Sequence, residues 1–465
     1  MAEHYSVVLV GTGFASSFFL LQYLKHARPD ERILVLEWGH KQKPGEGVPF
    51  SDLSVNETPQ KDWVQRIAFG GGSCWTGNTP RLHPNDFRTK TLYGVGSDWP
   101  MSYDDLEPYY QEVEGVMGIA GGSGGPYPRS KPYPCPPHRY NALDEALAKK
   151  YPDHYIPMPS ARSSSVSTKR PLCCGNGVCT ACPIGAKFQI DPHLASLYDD
   201  PRITLRMDSE VQRVDVQGGR ATGVQYMNGG REQVVSGDLV VVGAHAIMSP
   251  FILLRSGFTD RALGRYLNEQ IHCAVQLDLD GIENFGGGQR VTGLGLMFLD
   301  GPSRKELPGC VVENSNVPWL RAEPRRWRQR GLLKLVFEDI PSFENYVGIS
   351  KENPNKPAMY YPKLSSYMQK GAASVESRVA ELLKGLPIES VYFMKPKGFA
   401  GAAHIQGTTR MGADPNDSVV DGDLRHHSLR NLLVLGSGAF PTCPAGNPTL
   451  TLSALSMRAA DRLFS

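Results

Sequence analysis

The N-terminal segment constrains the fold more than any other part of the chain. Residues 6–10 (SVVLV) are a short β-branched run, the pattern of a buried parallel strand. The sequence GTGFAS follows, then an apolar helical run, SFFLLQYLKHA, and a second strand, RILVLE, which ends at Glu37. This order of strand, glycine turn, helix and strand predicts a βαβ unit that binds a dinucleotide.

Single residues of this unit have distinct physical roles. Gly11 allows the tight turn, and Gly13 lets the backbone approach a pyrophosphate at the helix N-terminus. Glu37 is placed to accept a hydrogen bond from a ribose hydroxyl, which favours FAD or NAD over NADP. Ser16 stands where the pattern usually has a third glycine, so we expect the helix and the strand to pack slightly less closely there.

Composition excludes several classes of function. The chain has 465 residues, which favours two or three domains. Its net charge of +2 gives no electrostatic signature of nucleic-acid binding or of a membrane surface. No apolar run is long enough to span a bilayer and the N-terminus lacks the features of a signal peptide, so we expect a cytoplasmic protein. The nine cysteines are then expected to be free, catalytic or metal-bound.

Four further segments carry a resemblance to a known family. They are residues 69–87 (FGGGSCWTGNTPRLHPNDF), 237–257 (GDLVVVGAHAIMSPFILLRSG), 404–412 (HIQGTTRMG) and 419–463, which contains AGNPTLT. In this order and spacing the chain resembles the glucose–methanol–choline (GMC) flavoprotein oxidoreductases, and most of all their pyranose oxidase branch. The resemblance implies that the dinucleotide is FAD, bound without a covalent link.

The resemblance also implies which residues hold FAD, from the ADP half to the flavin. They are Gly11, Gly13, Phe14, Ala15 and Glu37, then Gly71, Gly72 and Ser73, then Val211, Ala244 and Ser249, and finally Gly436, Ser437, Asn447, Pro448 and Thr449. Position 436 departs from the family, which usually has an aspartate there. The helix predicted from NPTLT has Pro448 in its first turn, and its N-terminus would face the electron-rich edge of reduced flavin.

Alcohol oxidation needs a base for the hydroxyl proton and a hydride acceptor. A neutral imidazole suits the first task, and flavin N5 supplies the second. The family's His-x-x-Gly-Thr motif assigns the base to His404, and its partner position falls on Asn447, whose amide can hydrogen-bond the substrate oxygen. The alternative for His404 is a core histidine held by a hydrogen bond. His426 and His427, in the polar stretch DLRHHSLRN, are predicted to lie at the surface.

A cysteine-rich loop has two interpretations. Residues 170–188 contain Cys173, Cys174, Cys179 and Cys182, with the last two in a C-x-x-C-P spacing. Cys173, Cys179 and Cys182 are candidate ligands of an iron–sulfur cluster, and some dehydrogenases of the family carry a [3Fe–4S] cluster in such a loop. The alternative is a metal-free lid over the isoalloxazine. Cys74 falls where pyranose oxidases have a flavin-linked histidine, which excludes a histidyl link and leaves a cysteinyl link as the alternative to non-covalent FAD.

The resemblance implies an α/β fold with a discontinuous Rossmann-like FAD-binding domain and an α+β substrate domain built on an antiparallel sheet. We assign residues 1–110, 190–262 and 396–465 to the first, 263–395 to the second and 111–189 to a cysteine-containing cap. The predicted reaction is FAD-dependent oxidation of an alcohol group of a sugar, glycoside or cyclitol-like molecule to a carbonyl. The electron acceptor is O2 or an unknown redox partner.

Two alternatives stay open at this point. The first is a flavin and iron–sulfur dehydrogenase that delivers electrons to a protein or quinone acceptor. The second, from another class, is a flavin-binding protein without catalytic activity, against which the presence of both His404 and Asn447 argues.

Overall fold

The computed structural model of the protein describes residues 3–41, 54–56, 64–70, 75–177, 179, 182–317, 319–361, 364–394 and 400–465. Along these residues the strands are β1 (Glu3–Val10), β2 (Ile33–Leu36), β3 (Ser54–Asn56), β4 (Tyr155–Pro157), β5 (Ile203–Arg206), β6 (Ser209–Gln217), β7 (Arg220–Asn228), β8 (Arg231–Val242), β9 (Asn268–Leu279), β10 (Val291–Phe298), β11 (Cys310–Ser315), β12 (Arg330–Phe337), β13 (Tyr346–Ile349), β14 (Pro357–Tyr360), β15 (Ile388–Met394), β16 (Ala400–Gln406) and β17 (Leu432–Val434).

The helices alternate with these strands. They are α1 (Phe14–Tyr23), α2 (Thr89–Tyr93), α3 (Tyr103–Met117), α4 (Ala142–Lys150), α5 (Ile190–His193), α6 (His245–Arg255), α7 (Ser366–Ala373), α8 (Val375–Leu383) and α9 (Thr449–Asp461). Short 3-10 turns cover Pro84–Phe87, Val166–Thr168, Ala195–Asp199, Pro302–Lys305 and Ser437–Ala439.

The first sheet is the predicted dinucleotide-binding sheet. Its strands lie in the order β5-β2-β1-β8-β7-β6, and β17 pairs with the C-terminal end of β8. The pairs that join β5, β2, β1, β8 and β17 are parallel, whereas β6, β7 and β8 form an antiparallel meander. The carboxyl ends of the parallel strands therefore open at one edge of the sheet, where ligands bind in folds of this class.

Two helices cover this sheet where the cofactor is expected. Helix α1 follows β1 directly, and nearly all of its side chains are buried because it packs against α9 and shares one apolar core with β1 and β2. Helix α9 begins at Thr449, as predicted from NPTLT, and buries Leu450, Ala454 and Met457 in the same core. The two segments most distant in sequence thus meet at one ligand site.

The second sheet is antiparallel and contains most strands of the predicted substrate domain. Its strands lie in the order β15-β9-β12-β11-β10-β4, and β16 pairs with the N-terminal part of β9. Alternate residues of β9, β11 and β12 enter an apolar core with α4, α7 and α8, so the residues between them lie on the opposite face of the sheet. A third, small sheet has the order β13-β14-β3.

This architecture confirms the predicted fold class of a Rossmann-like sheet combined with an antiparallel sheet. The domain bounds given above stay a prediction. Within the part of the chain that the structure describes, none of the helices has the length and apolar character required to cross a membrane.

Candidate active site

A cavity of about 420 Å³ lies at the carboxyl ends of β1, β2, β8 and β17 and extends to the second sheet. Most of the predicted FAD residues line it, together with His404: Gly11, Gly13, Phe14, Ala15, Glu37, Val211, Ala244, Gly436, Ser437, Asn447, Pro448 and Thr449. Gly71, Gly72, Ser73 and Cys74 lie outside the described residues. Residues that are far apart in the sequence therefore line one cavity.

The turn between β1 and α1 has the conformation that close approach of a phosphate requires. Gly11 has φ +94°, and a Cβ atom there would lie 2.6 Å from the Gly243 carbonyl oxygen. A Cβ atom on Gly13 would meet nothing within 4 Å, so the backbone is open to the cavity at this residue. Gly13 is the N-cap of α1 and supplies no side-chain acceptor for the first-turn amides, which suits an anion.

Ser16 does not loosen the packing in the way the sequence predicted. Its side chain is buried and its hydroxyl donates a hydrogen bond to the Val10 carbonyl oxygen. A Cβ atom on Gly243 would lie 2.2 Å from the Ser16 hydroxyl oxygen. The space that a third glycine usually provides on the helix is therefore provided by Gly243 at the end of β8.

Glu37 holds the phosphate turn in addition to closing β2. Its Oε2 atom accepts hydrogen bonds from the Thr12 amide (3.0 Å) and hydroxyl (2.6 Å), and its Oε1 atom accepts one from the Gly39 amide (2.7 Å). Burial raises the pKa of this carboxyl group, and these hydrogen bonds oppose the shift. A carboxylate has further lone pairs, so contact with a ribose hydroxyl stays a prediction.

Two predicted positions differ from the simple expectation. Ser249 is fully buried inside α6, where its hydroxyl accepts the Ala244 amide hydrogen bond at 3.1 Å, so it shapes the turn from behind the cavity wall. Gly436 has φ +104° and ψ −174°, a conformation that disfavours any side chain. The missing family aspartate at 436 is therefore matched by a backbone that only glycine adopts without strain.

His404 is aimed into the cavity by a bulge in β16. Gly401 pairs with Ile271 and Ile405 pairs with Glu269, so three residues of β16 stand opposite one residue of β9, Gln270. The bulge includes Ala403 at φ +59°, whose amide donates a hydrogen bond to the Glu269 carboxylate. Bulges of this kind turn a side chain out of the regular alternation.

Gln270 determines which imidazole nitrogen carries the proton. Its side-chain nitrogen is committed to two carbonyl oxygens, those of Pro444 and Gly446 (2.6 Å to the latter), which accept only. The amide oxygen therefore faces His404, 2.6 Å from Nδ1, and can only accept, so Nδ1 carries the proton. The Nε2 atom of a neutral His404 is consequently the basic atom.

The charge state of His404 suits the same role. Burial lowers its pKa to about 4, and the nearby His272 and Lys334 side chains act in the same direction. The imidazole is therefore neutral at physiological pH and able to accept a proton.

A buried carboxylate orients the partner residue. Glu313, on β11, accepts hydrogen bonds from the side chains of Asn447 and Asn78, and its pKa is raised mainly by burial. Because a carboxylate accepts, both amide nitrogens face Glu313, and both Oδ1 atoms are left buried without a partner among the described residues. Asn447 and Asn78 line the cavity, so they offer it acceptors. The predicted hydrogen bond between the Asn447 amide and a substrate oxygen stays a prediction, and in this orientation the amide oxygen would accept it from a substrate hydroxyl group.

The cysteine-rich loop does not form a metal site as the structure places it. Cys174 is exposed, Cys173 and Cys182 are half-buried and Cys179 is buried. Across the described residues, which include these four, no group of three or more histidine, cysteine or acidic side chains could hold a metal ion. The predicted ligand set of Cys173, Cys179 and Cys182 thus does not fit a [3Fe–4S] cluster, and no chemical step is derived through one.

The loop instead contacts the cavity wall. The ammonium group of the buried Lys187 donates hydrogen bonds to the carbonyl oxygens of Trp75 (2.7 Å) and Cys179 (2.9 Å). The Trp75 indole, which lines the cavity, donates to the Phe188 carbonyl oxygen at 2.8 Å. The loop therefore packs behind the Trp75 wall of the cavity, and a lid role over the isoalloxazine stays a prediction.

The cavity residues fit FAD. The open Gly13 backbone at a helix N-terminus suits a pyrophosphate, and the unpartnered Oδ1 atoms of Asn78 and Asn447 suit ligand N–H or O–H groups. Comparison with known proteins decides the family. The N-terminal GMC oxidoreductase profile matches residues 161–273, and the C-terminal profile matches residues 368–456.

The chain belongs to the GMC oxidoreductase family. Members of this family bind FAD, and the protein is therefore a flavin-dependent oxidoreductase that acts on CH–OH groups, as predicted.

Several GMC relatives match over most of this chain. The fructose dehydrogenase large subunit of Gluconobacter japonicus is 29% identical over 89% of this chain and 84% of its own length. Paromamine 6'-oxidase of Streptomyces fradiae is 27% identical over 98% of this chain and 90% of its own. Pyranose 2-oxidase of Tricholoma matsutake is similar over a shorter stretch, with 26% identity over 59% of this chain and 56% of its own.

A solved GMC structure shows the same fold. Pyridoxine 4-oxidase from Mesorbium loti superposes with a TM-score of 0.70, covering 99% of both chains at 19% identity. At this identity the likeness supports the fold alone.

The sequence analysis did not identify the residues that position the site, and its prediction that His426 lies at the surface is wrong. Gln270, Asn78 and Glu313 gave no motif signal because their partners lie far away in the chain, 134 residues in the case of Gln270 and His404. His426 is 2% exposed and lies 3.3 Å from the Asp260 carboxylate, so it is not at the surface. His427 is half-buried and bonds the Ser418 hydroxyl at 2.8 Å.

Proposed function

We propose that this GMC oxidoreductase oxidises a secondary or primary alcohol group of a sugar, glycoside or cyclitol-like molecule to a carbonyl, with non-covalent FAD as cofactor. When bound, FAD supplies the acceptor for the hydride. The observation that carries the proposal is the fixed tautomer of His404, whose basic Nε2 atom is left free by the Nδ1 hydrogen bond to Gln270.

The side chains of the site have separate roles in the proposed reaction. His404 accepts the hydroxyl proton as the carbinol hydrogen departs, a role for which the low pKa keeps it neutral. Gln270 stabilises the Nδ1–H group throughout. The Oδ1 atoms of Asn447 and Asn78 accept hydrogen bonds at the same site, which suits a substrate with several hydroxyl groups.

The names of the relatives support this class of substrate. Fructose dehydrogenase, paromamine 6'-oxidase and pyranose 2-oxidase are all named for sugar-like substrates. These names include both dehydrogenases and oxidases, so the electron acceptor is either O2 or a redox partner. Oxygen uptake during turnover, compared with reduction of an artificial dye, distinguishes the two.

The test is anaerobic reduction of the protein-bound flavin by a panel of sugars, glycosides, polyols and cyclitols in a stopped-flow instrument. We expect the purified protein to be yellow and to release its FAD on denaturation. His404→Ala should retain FAD but slow flavin reduction by about 10²–10⁴, the usual contribution of a general base. His154→Ala, on an exposed turn, is the matched control and should reduce at the wild-type rate. Equal rates for His404→Ala and wild type would overturn the assignment.

A further inference from the structure

The face of the second sheet that carries Glu313 has a polar cluster that the mechanism does not use. In the sheet register Glu313 lies directly opposite Lys334, which lies opposite Ala274. Directly opposite residues have their side chains on one face, with Cβ atoms about 4.5–5.5 Å apart. His272 and Gln276 flank Ala274 on the same face, because residues two apart on a strand point the same way.

Two cations of this cluster lie near one carboxylate without forming an ion pair with it. Lys334 and Arg290 are both half-buried, and both lie close enough to Glu313 to lower the pKa of that carboxyl group. Neither side chain makes a hydrogen bond or an ion pair within 4.0 Å among the residues that the structure describes. Glu313 itself is engaged by Asn447 and Asn78. The cluster thus has two positive charges against one carboxylate that is already hydrogen-bonded.

The cluster lies close to His404, the proposed base. Lys334 and His272 both lie near enough to His404 to lower the pKa of its imidazole. Ala274 is half-buried between His272 and Gln276, with Lys334 opposite it on one neighbouring strand and Met394 opposite it on the other. A ligand group beside Ala274 would meet the Lys334 ammonium group and reach towards His404 with its other end.

A half-buried ammonium group that makes no hydrogen bond or ion pair among the described residues is available to a ligand oxyanion, and hydrogen bonds to charged groups are stronger than neutral ones. On this basis, and given the alcohol oxidation proposed above, we propose that Lys334, assisted by Arg290, binds an oxyanion of the substrate. The substrate is then an anionic polyol, whose hydroxylated carbon chain ends in a carboxylate or a phosphate. The same two positive charges repel a substrate that carries ammonium groups.

The test measures binding to the FAD-loaded protein by the change in the visible flavin spectrum, without turnover. The ligands are D-gluconate, D-sorbitol and sorbitol 6-phosphate, which share most of their hydroxylated chain and differ in the anionic group. Wild type should bind at least one of the two anions about tenfold or more tightly than sorbitol. In Lys334→Met the ratio of anion to sorbitol affinity should fall by about 10–100-fold, the range for a hydrogen bond to a charged group.

Two further variants make the result specific. Lys334→Arg keeps the charge and should retain most of the preference for the anion. Lys370→Met removes an exposed lysine from α7, which packs on the opposite side of the same sheet, and should leave the affinity ratio unchanged. Flavin content and melting temperature show whether each variant folds.

Failure of this inference is separable from failure of the proposed function. If wild type binds sorbitol as tightly as both anions, or if Lys334→Met weakens all ligands equally, the oxyanion site is wrong even when neutral polyols reduce the flavin. If anion binding depends on Lys334 but no polyol reduces the flavin, the oxyanion site stands and the proposed oxidation is wrong.

Discussion

Replacing Gln270 tests whether the tautomer of His404 governs the reaction. Gln270→Leu has nearly the same volume but removes the acceptor of the Nδ1–H group. That proton then lacks a partner, and the imidazole is free to move its hydrogen to Nε2, where it blocks proton transfer. Gln270 is completely buried, so water does not replace the lost partner without rearrangement.

The expected magnitude comes from the cost of an unsatisfied buried polar group, about 1–3 kcal/mol. At 1.4 kcal/mol per factor of ten, Gln270→Leu should slow anaerobic flavin reduction by about 5–150-fold. The substrate concentration for half-maximal reduction should change less, because Gln270 does not face the substrate. The loss should be smaller than that of His404→Ala, which removes the base itself.

Gln270→Glu provides the matched comparison. Both variants lose the hydrogen bonds that the Gln270 side-chain nitrogen donates to the Pro444 and Gly446 carbonyl oxygens, but only Gln270→Glu keeps an acceptor for Nδ1–H. A carboxylate also accepts the Nδ1–H hydrogen bond, but it stabilises the imidazolium ion and so raises the pKa of His404. Reduction should then stay fast at high pH and become slow as the pH falls through the raised pKa. The reasoning fails if Gln270→Leu reduces its flavin within a factor of two of wild type while His404→Ala is slow.

Further predictions address the turn, the pH profile and the cysteines. Gly243→Ala should lower the free energy of unfolding by about 1–3 kcal/mol and weaken FAD retention, because its Cβ atom would lie 2.2 Å from the Ser16 hydroxyl oxygen. A second substitution, Ser16→Gly, should partly restore both properties. Melting temperature and flavin content measure the two effects. Titration of His404 should not affect the rate of flavin reduction in wild type above about pH 5. The rate should fall as the pH approaches the His404 pKa of about 4, because the protonated imidazole is not a base. Cys182→Ser should reduce its flavin at the wild-type rate, and the anaerobically purified wild type should contain no stoichiometric iron. Iron that is present in wild type and absent from Cys182→Ser would contradict the placement of the loop.

Local signals in the sequence were sufficient for the cofactor half of the site. The β1–α1–β2 unit is encoded by contiguous residues whose pattern reflects one local geometry, so the sequence places Gly11, Gly13 and Glu37 in this unit, and they line the cavity. His404 and Asn447 were found because each lies in a short motif that the family resemblance identifies. These residues line one cavity, although their catalytic roles stay predictions.

The supporting half of the site depends on sheet register, which local patterns do not specify. Gln270 meets His404 only because β9 and β16 pair with a bulge at that point. Lys334 and His272 looked like ordinary strand residues, and only the pairing of β12 with both β9 and β11 places them on the face beside Glu313. The predicted surface position of His426 was wrong for a similar reason, since Phe258 and Asp260 from another segment cover it.

The register also sets a minimum distance between the oxidised carbon and the anionic group of the substrate. Gln270, which holds the base, and Ala274, which lies opposite Lys334, are four residues apart on β9, or about 13 Å at 3.2–3.4 Å per residue. The lysine side chain shortens this gap but does not close it. A short 2-hydroxy acid such as lactate, with hydroxyl and carboxylate on adjacent carbons, should therefore occupy the Lys334 site without bringing its carbinol hydrogen to the flavin. We expect lactate to inhibit gluconate-dependent flavin reduction competitively and to leave the flavin oxidised on its own. Rapid anaerobic bleaching by lactate alone would show that base and cation are closer than the register indicates.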